Sequence, residues 1–237
     1  MSNTPIFVYT ARPQTRVRLR GIFEQGPLKE LIERPGTLRY AGWNMETQEQ
    51  SRIVKGEYLE VAVGDWKTIQ LYEDGMLLAK VKADPDFLAW GSRGDEGFEK
   101  RPRLNPLALI EFTYSFVDVF SRAIQQADPQ PATCVLQANI RNTFRAEERL
   151  YLNPHGLEAV AHLIDQTRYR APEDNGEVNI QVDTNLVRNN VPRTAYLFVE
   201  RIYLWFGVPV NQIPYTTGEG EAKVIDVEML RRGGKPQ

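Results

Sequence analysis

Segment 105–127 repeats apolar residues at the spacing of an α-helix. They recur every three or four positions, at Leu109, Phe112, Phe116, Phe120 and Ile124. Polar residues form an opposing stripe, made of Glu111, Ser115, Asp118, Arg122 and Gln125. The pair Asn105-Pro106 supplies a capping side chain and a favourable first helical residue. The pattern therefore predicts one long amphipathic helix in this segment.

Segment 191–206 is apolar around most of the circumference that a helix would give it. Asn190 and Pro192 are typical of a helix start, and Gly207 is typical of a helix end. Such a helix is expected either at the centre of the core or at a contact between subunits. Trp205 near its end is accordingly a candidate partner-binding residue.

The first half of the chain alternates apolar and polar residues as β-strands do. Strands are predicted at 38–43, 58–63, 68–72 and 76–81, and further strands at 133–140, 178–182 and 222–227. Asp74-Gly75 supplies the positive φ values that a tight hairpin turn requires. Shorter helices are predicted at 27–33 and 156–167.

These elements predict an α+β fold rather than a parallel, doubly wound one, because strands come in runs joined by short loops. We expect an antiparallel, β-rich N-terminal part at 1–103. A mixed C-terminal part at 104–237 is built around the two long apolar helices. The two parts are either separate or joined in one compact domain, since both arrangements suit 237 residues.

The composition narrows the function classes. Two histidines and one cysteine offer no cluster for metal or nucleophilic chemistry, so we predict no catalytic residue, no metal and no cofactor. The single Cys134 fits a reducing, cytoplasmic compartment. No apolar run approaches about 18 residues, which predicts no contact with a membrane. A net charge of −2 argues against a uniformly basic nucleic-acid binder.

Arginines nevertheless alternate with apolar residues near the N-terminus. Arg16, Arg18 and Arg20 would lie on one face of a strand, opposite Val17 and Leu19. Together with Arg141 and Arg145 they are candidate phosphate-binding residues of a nucleic-acid-associated protein. The alternative interpretation is an edge strand that its charges protect from aggregation.

Two further groups are candidates for chemistry or contact. Glu60, Asp65 and Lys67 faintly resemble the acid-and-lysine grouping of a metal-dependent nuclease, although a loop is the simpler interpretation. His155, Glu158 and His162 have helical spacing but not the usual metalloprotease order. The aromatic residues Phe87, Trp90 and Phe98 either stack on bases, dock a partner or close a loop over the core.

The second half also resembles a known family. The stretch Leu104 to Phe112 with its long helix, the strand 131–139 and the helix 191–207 resemble the region downstream of the AlbA domain in bacterial Schlafen-type AlbA proteins. The resemblance implies an accessory or sensing module of a defence or regulatory system, and it assigns no catalytic residue. No AlbA domain is recognised in the chain.

The function expected first is a non-enzymatic binding or regulatory module that contacts protein or itself through apolar helix surface. Nucleic-acid association and nuclease activity are the alternatives.

Overall fold

The computed structural model describes residues 4–39, 42–47, 49–84, 87–89, 103–145, 148–152 and 169–233. Its strands are β1 (Ile6–Pro13), β2 (Arg18–Leu19), β3 (Arg52–Val54), β4 (Tyr58–Val63), β5 (Lys67–Tyr72), β6 (Leu77–Lys82), β7 (Arg103–Leu104), β8 (Ala127–Asp128), β9 (Thr133–Arg141), β10 (Phe144–Arg145), β11 (Glu148–Arg149), β12 (Tyr151–Leu152), β13 (Gly176–Asp183), β14 (Thr216–Thr217) and β15 (Val224–Ile225). Its helices are α1 (Pro27–Glu33), α2 (Pro106–Ile124), α3 (Thr184–Asn189), α4 (Val191–Trp205) and α5 (Val227–Arg231).

Seven strands form one sheet in the order β13-β9-β1-β6-β5-β4-β3. Every neighbouring pair in this sheet is antiparallel. The α+β class and the antiparallel sheet are thus confirmed. The first strand, β1, lies in the middle, between β6 and β9. Strands from before and after residue 103 therefore share a single sheet.

The β5-β6 hairpin forms where the turn signal predicted it. Gly75 has φ +83°, and the Met76 N–H donates to Asp74 Oδ1 at 3.1 Å. The strand predicted at 38–43 is wrong for the described residues 38, 39, 42 and 43, which have irregular backbone. Asn44 explains the difference, because its side chain bonds both Gly42 O and the Glu46 N–H and so favours a turn.

The main helices begin at the predicted caps. Asn105 Oδ1 accepts from the Ala108 N–H at 3.1 Å, and Asn190 Oδ1 accepts from the Arg193 N–H at 3.1 Å. Helix α2 has 19 residues and α4 has 15, while α1 has the predicted bounds. The helix predicted at 156–167 lies outside the described residues. Of the strand predicted at 222–227, only β15 is formed.

Helices α2 and α4 cover one face of the sheet, where α2 packs against β1 and α4 against β13. Tyr9 of β1 is at the centre of this layer, with its ring centroid 5.3 Å from Phe112, 5.4 Å from Phe116 and 5.8 Å from Phe198. Its hydroxyl bonds Thr113 Oγ1 at 3.1 Å. Alternation along β1 therefore sends every second residue into the aromatic core and the others to the opposite face.

Candidate interaction surface

On strands β1, β6, β9 and β13, the face of the sheet that points away from α2 and α4 keeps all of its side chains at least partly exposed. We call its four-strand part the open face. It consists of Ile6, Val8, Thr10 and Arg12 of β1, Leu78, Lys80 and Lys82 of β6, Val135, Gln137, Asn139 and Arg141 of β9, and Glu177, Asn179, Gln181 and Asp183 of β13. On the other side of the same strands, Phe7, Tyr9 and Ala11 are fully buried.

The middle of the open face is apolar. Thr10 pairs with Leu78 on one side and with Gln137 on the other, and Ile6 and Val8 precede it on the same face of β1. Cross-strand neighbours on one face have Cβ atoms about 5 Å apart. Ile6, Val8 and Leu78 form a small, partly exposed apolar patch, and Lys80, Lys82, Asn139 and Arg141 are the cross-strand neighbours of Ile6 and Val8. Strand β1 is consequently apolar on both faces, a pattern typical of strands that are covered on both sides.

Charges surround this patch, and Arg12 of β1 and Arg141 of β9 add positive charge between the outer strands. Glu177 and Asp183 make the β13 edge acidic, whereas Lys80 and Lys82 make β6 basic. Register places Glu177 opposite Asn139, Asn139 opposite Val8, and Val8 opposite Lys80. Three strand spacings, about 14 Å, separate the two ends of this row. Within the described residues neither Glu177 nor Lys80 forms a salt bridge.

The helices leave little apolar surface for a partner. In α2 the apolar side chains are buried around nearly the whole circumference. Helix α4 buries Phe198, Val199 and Ile202, and Leu204, 42% exposed, is the one large hydrophobic residue that the described helices expose strongly. The apolar faces of α2 and α4 that the sequence predicts are therefore buried mainly in the core.

The aromatic candidates are also largely committed to packing. Phe87 is 5% exposed, and its ring centroid lies 5.2 Å from Trp66 and 5.5 Å from Phe112. It closes a loop over the core, which was the alternative interpretation. Trp205 is half-buried and packs so closely on Gly176 that a Cβ there would lie 2.2 Å from the indole. Trp90 and Phe98 lie outside the described residues.

The segment of the N-terminal arginines alternates between buried and exposed side chains, as predicted, but most of it does not form a β-strand. Val17 and Leu19 are buried, while the three arginines between and beside them are exposed. Only β2, two residues long, is formed, and it pairs with β8. Arg18 Nε donates to Glu73 at 2.6 Å, and Arg20 forms a salt bridge with Asp128. These carboxylates share a depression of about 400 Å³ with Arg18 and Arg20, so two of the three positive charges are already paired.

The five candidate arginines do not converge. Arg141 is opposite Ile6, at the start of β1, whereas Pro13 at its end is opposite Cys134. Arg16, Arg18 and Arg20 follow Pro13, so about 23 Å of strand separates the two groups. Arg145 lies in β10, where its backbone is opposite Glu148. Among the side chains that the structure describes, Arg141 therefore does not share a surface with Arg16, Arg18 and Arg20.

The nuclease grouping is also dispersed. Glu60 is opposite Gln70, and Lys67 is opposite Val63, so Glu60 and Lys67 point to opposite faces of the sheet. Asp65 lies in the turn between β4 and β5 and pairs with Lys82. In the part of the chain that the structure describes, no three His, Cys, Asp or Glu side chains come together as a metal site requires. His155, Glu158 and His162 lie outside that part.

Two buried charges are held by polar partners. Glu111 is fully buried in α2, and its Oε2 accepts from Arg39 Nη2 at 2.9 Å and Nε at 3.2 Å. Burial raises the pKa of this carboxyl, and Arg39 opposes the rise. Lys67 donates to Asn44 O at 3.2 Å and to Glu46 O, while burial lowers the pKa of its ammonium to about 8. Glu111 thereby holds Arg39, and Lys67 holds Asn44 and Glu46, against the core.

Sequence reasoning missed the open face. The available signal was the run Ile6 to Thr10, in which apolar residues stand at consecutive rather than alternate positions. Such a run indicates a strand that lies centrally in a sheet. It does not indicate which of the two faces the helices cover.

Comparisons with known protein families, curated proteins and solved structures give no match for this chain. Within the described ranges, none of the helices combines the length and apolar character needed to cross a lipid bilayer.

Proposed function

We propose that this chain is a non-enzymatic binding module that acts through protein contacts, and that the open face is its contact surface. The observation that carries the proposal is the partly exposed patch of Ile6, Val8 and Leu78, on two strands, β1 and β6, whose other faces are buried. The accessory role in a defence or regulatory system, which the family resemblance implies, belongs to the same proposal.

The layout of the open face supports a protein partner. Protein interfaces have an apolar centre, where water is excluded, and a polar rim that remains hydrated. Here Ile6, Val8 and Leu78 form the centre, and charged or amide side chains of β13 and β6 surround it. Along the β13 edge, Glu177 and Asp183 would repel the phosphates of a polyanion.

The proposal is tested by site-specific photo-cross-linking in cells that make the full chain. A benzophenone amino acid at Thr10 lies at the centre of the open face, and the same group at Arg201 lies on the solvent side of α4. We expect a discrete protein adduct from the Thr10 position that the Arg201 position does not give. If no adduct forms at Thr10, or both positions give the same adducts, the open face is not the contact surface.

A further inference from the structure

We propose that the outer edge of β13 binds an extended segment of another protein, which joins the sheet as an additional strand and carries basic residues. Strand β13 is one end of the seven-stranded sheet. Its backbone edge is a different surface from the apolar patch of the open face, so this inference goes beyond the proposed function. A segment that joins a sheet in this way gains affinity from its main chain and specificity from its side chains.

The backbone groups of β13 point alternately toward β9 and away from the sheet. The Thr184 N–H donates to Ala132 O at 3.0 Å, in continuation of the register between β13 and β9. Because hydrogen-bonded pairs alternate along an antiparallel ladder, the even-numbered residues of β13 bond to β9. The N–H and C=O groups of Glu177, Asn179 and Gln181 therefore point outward. Within the described residues, no backbone hydrogen bond joins these outward groups to another segment.

The other edge of the sheet is shortened, whereas β13 is long and regular. At that other edge, β3 has three residues and runs into a turn where Lys55 and Gly56 have positive φ. Strand β13 has eight residues, and its register with β9 continues without a bulge from Gly176 to Asp183. It contains no proline or lysine, two residues that commonly block strand edges. An edge of this length and regularity is a template for another strand.

Solvent reaches β13 from the side as well as from the open face. The side chains of Val178, Ile180 and Val182, which face α4, keep 9%, 8% and 6% of their surface exposed, whereas the inward side chains of β9 are fully buried. A strand added beyond β13 would cover these three side chains with apolar side chains of its own. The added segment is therefore expected to alternate, with apolar residues on the helical side and polar or charged residues on the open side.

The charge at this edge determines the chemistry of the partner. The acidic residues in and just before β13 are Glu173, Asp174, Glu177 and Asp183, and residues 171–187 include no lysine or arginine. Within the described residues, none of these four carboxylates forms a salt bridge. Glu177 and Asp183 are exposed, and basic residues six positions apart in an added strand would lie opposite them. A second copy of β13 is disfavoured, because it would bring a second set of carboxylates to the same edge.

Binding of a fluorescent peptide to the full chain tests this inference. The probe is Lys-Val-Thr-Val-Thr-Val-Lys, in which the two lysines have the spacing of Glu177 and Asp183 and the valines face the helical side. Fluorescence anisotropy at low salt, with the chain at up to about 1 mM, covers the weak affinities of short peptides. We expect saturable binding, and at least about fivefold weaker binding when both lysines of the peptide are replaced by glutamate. In Glu177→Lys this preference should become smaller.

N-methylated peptides distinguish strand addition from charge attraction alone. Every neighbouring pair in the sheet is antiparallel. In that arrangement the N–H groups of the third and fifth peptide residues donate to Gln181 and Asn179, whereas those of the fourth and sixth point away from β13. Methylation of the third and fifth nitrogens should weaken binding at least about tenfold. Methylation of the fourth and sixth, the matched control, should change it by less than about threefold.

Two variants at one position locate the binding edge on the chain. Asn179→Pro removes an outward N–H without removing a bond to β9, a position at which an edge strand tolerates proline. Asn179→Thr keeps the N–H and is the matched control. We expect at least about tenfold weaker binding for the proline variant and a change of less than about threefold for the threonine variant. The methylated peptides are measured on wild type, so they decide the question even if the proline variant does not fold.

Three results would overturn the inference: no binding of the lysine peptide, equal effects of the two methylation patterns, or a folded Asn179→Pro that binds as tightly as Asn179→Thr. Peptide binding at β13 and the Thr10 adduct report on different surfaces. A failure of one therefore leaves the other standing.

Discussion

Removing Arg39 should expose the cost of the buried carboxylate of Glu111. Glu111 Oε2 accepts two hydrogen bonds from the Arg39 guanidinium, which also lies 5.0 Å from the Trp43 ring centroid. In Arg39→Met the aliphatic part of the side chain is retained for packing, while the charge is lost. The folded state then has to hold an ionised carboxylate without its partner, or take up a proton.

The expected loss of unfolding free energy in Arg39→Met follows from the burial of the ion pair. Breaking a buried ion pair by removing one partner costs about 3–5 kcal/mol. The Arg39 side chain is 20% exposed, so water partly screens the wild-type pair and the lower limit applies, about 3 kcal/mol. For a chain of this size each kcal/mol lowers the melting temperature by about 2–4 °C. The melting temperature of Arg39→Met should therefore fall by roughly 6–12 °C.

The dependence on pH gives a second, independent readout. Burial already raises the pKa of Glu111, and the loss of Arg39 raises it further. An acid whose pKa is higher in the folded state binds its proton more tightly there, so stability falls as pH rises above the unfolded value of about 4.3. The loss of stability in Arg39→Met relative to wild type should accordingly be small near pH 4 and should reach its full value at pH 7.

Urea unfolding followed by circular dichroism measures these differences. The control is the double variant Arg39→Met/Glu111→Met, which removes both charges and should recover most of the loss. If Arg39→Met is as stable as wild type at pH 7, or if the double variant is no more stable than the single one, the buried pair does not have the role assigned to it.

Three further predictions concern other parts of the molecule. Burial lowers the pKa of Lys67 to about 8, so the folded state loses this proton before the unfolded state does. The stability of wild type relative to Lys67→Met should then rise between about pH 8 and 10.5, by at most about 1.4 kcal/mol per pH unit in urea titrations; a flat difference would contradict this. Gly176→Ala should lower the unfolding free energy by about 1–3 kcal/mol, because its Cβ would displace the Trp205 indole, and no loss in thermal unfolding would refute that contact. If the N-terminal arginines bind nucleic acid, the chain should bind a fluorescent oligonucleotide at low salt, and its affinity should fall with added salt and in Arg18→Ala. If the fluorescence anisotropy of the oligonucleotide does not change at low salt, this alternative is rejected.

Local signals were enough to predict some of the elements around the core, although they did not predict the strand β1 at Ile6–Pro13. Asn105 and Asn190 bond to backbone N–H groups of the first turn of their helices, and Gly75 adopts the left-handed backbone of the hairpin turn. Each of these effects involves residues only a few positions apart. The elements they predict, α2, α4 and the β5-β6 hairpin, are accordingly confirmed.

Long-range pairing could not be predicted in the same way. The position of β1 between β6 and β9 depends on contacts between residues far apart in the chain. Glu111 has the spacing of a solvent-facing polar residue, yet Arg39 reaches it from a distant loop and allows it to be buried. Lys67 likewise begins a strand whose buried side it shares with Ile69 and Leu71.

The candidate surface depends on the same long-range information. Alternation along β9 and β13 indicates two faces, but it does not show which face meets α2 and α4. The arginine pattern at 16–20 was visible in the sequence, whereas the carboxylates of Glu73 and Asp128 that pair with it come from other segments. The open face became recognisable only once the strand order was known.

The central position of β1 has a consequence for how the chain folds during its synthesis. Strand β1 (Ile6–Pro13) is synthesised long before β9 (Thr133–Arg141), which is one of its two neighbours in the sheet. The hairpins from β3 to β6 are local and can form early. Until β9 arrives, one side of β1 offers unpaired backbone groups flanked by apolar side chains, a combination that favours aggregation. Nascent chains halted before residue 133 should therefore need chaperone protection that the finished protein does not.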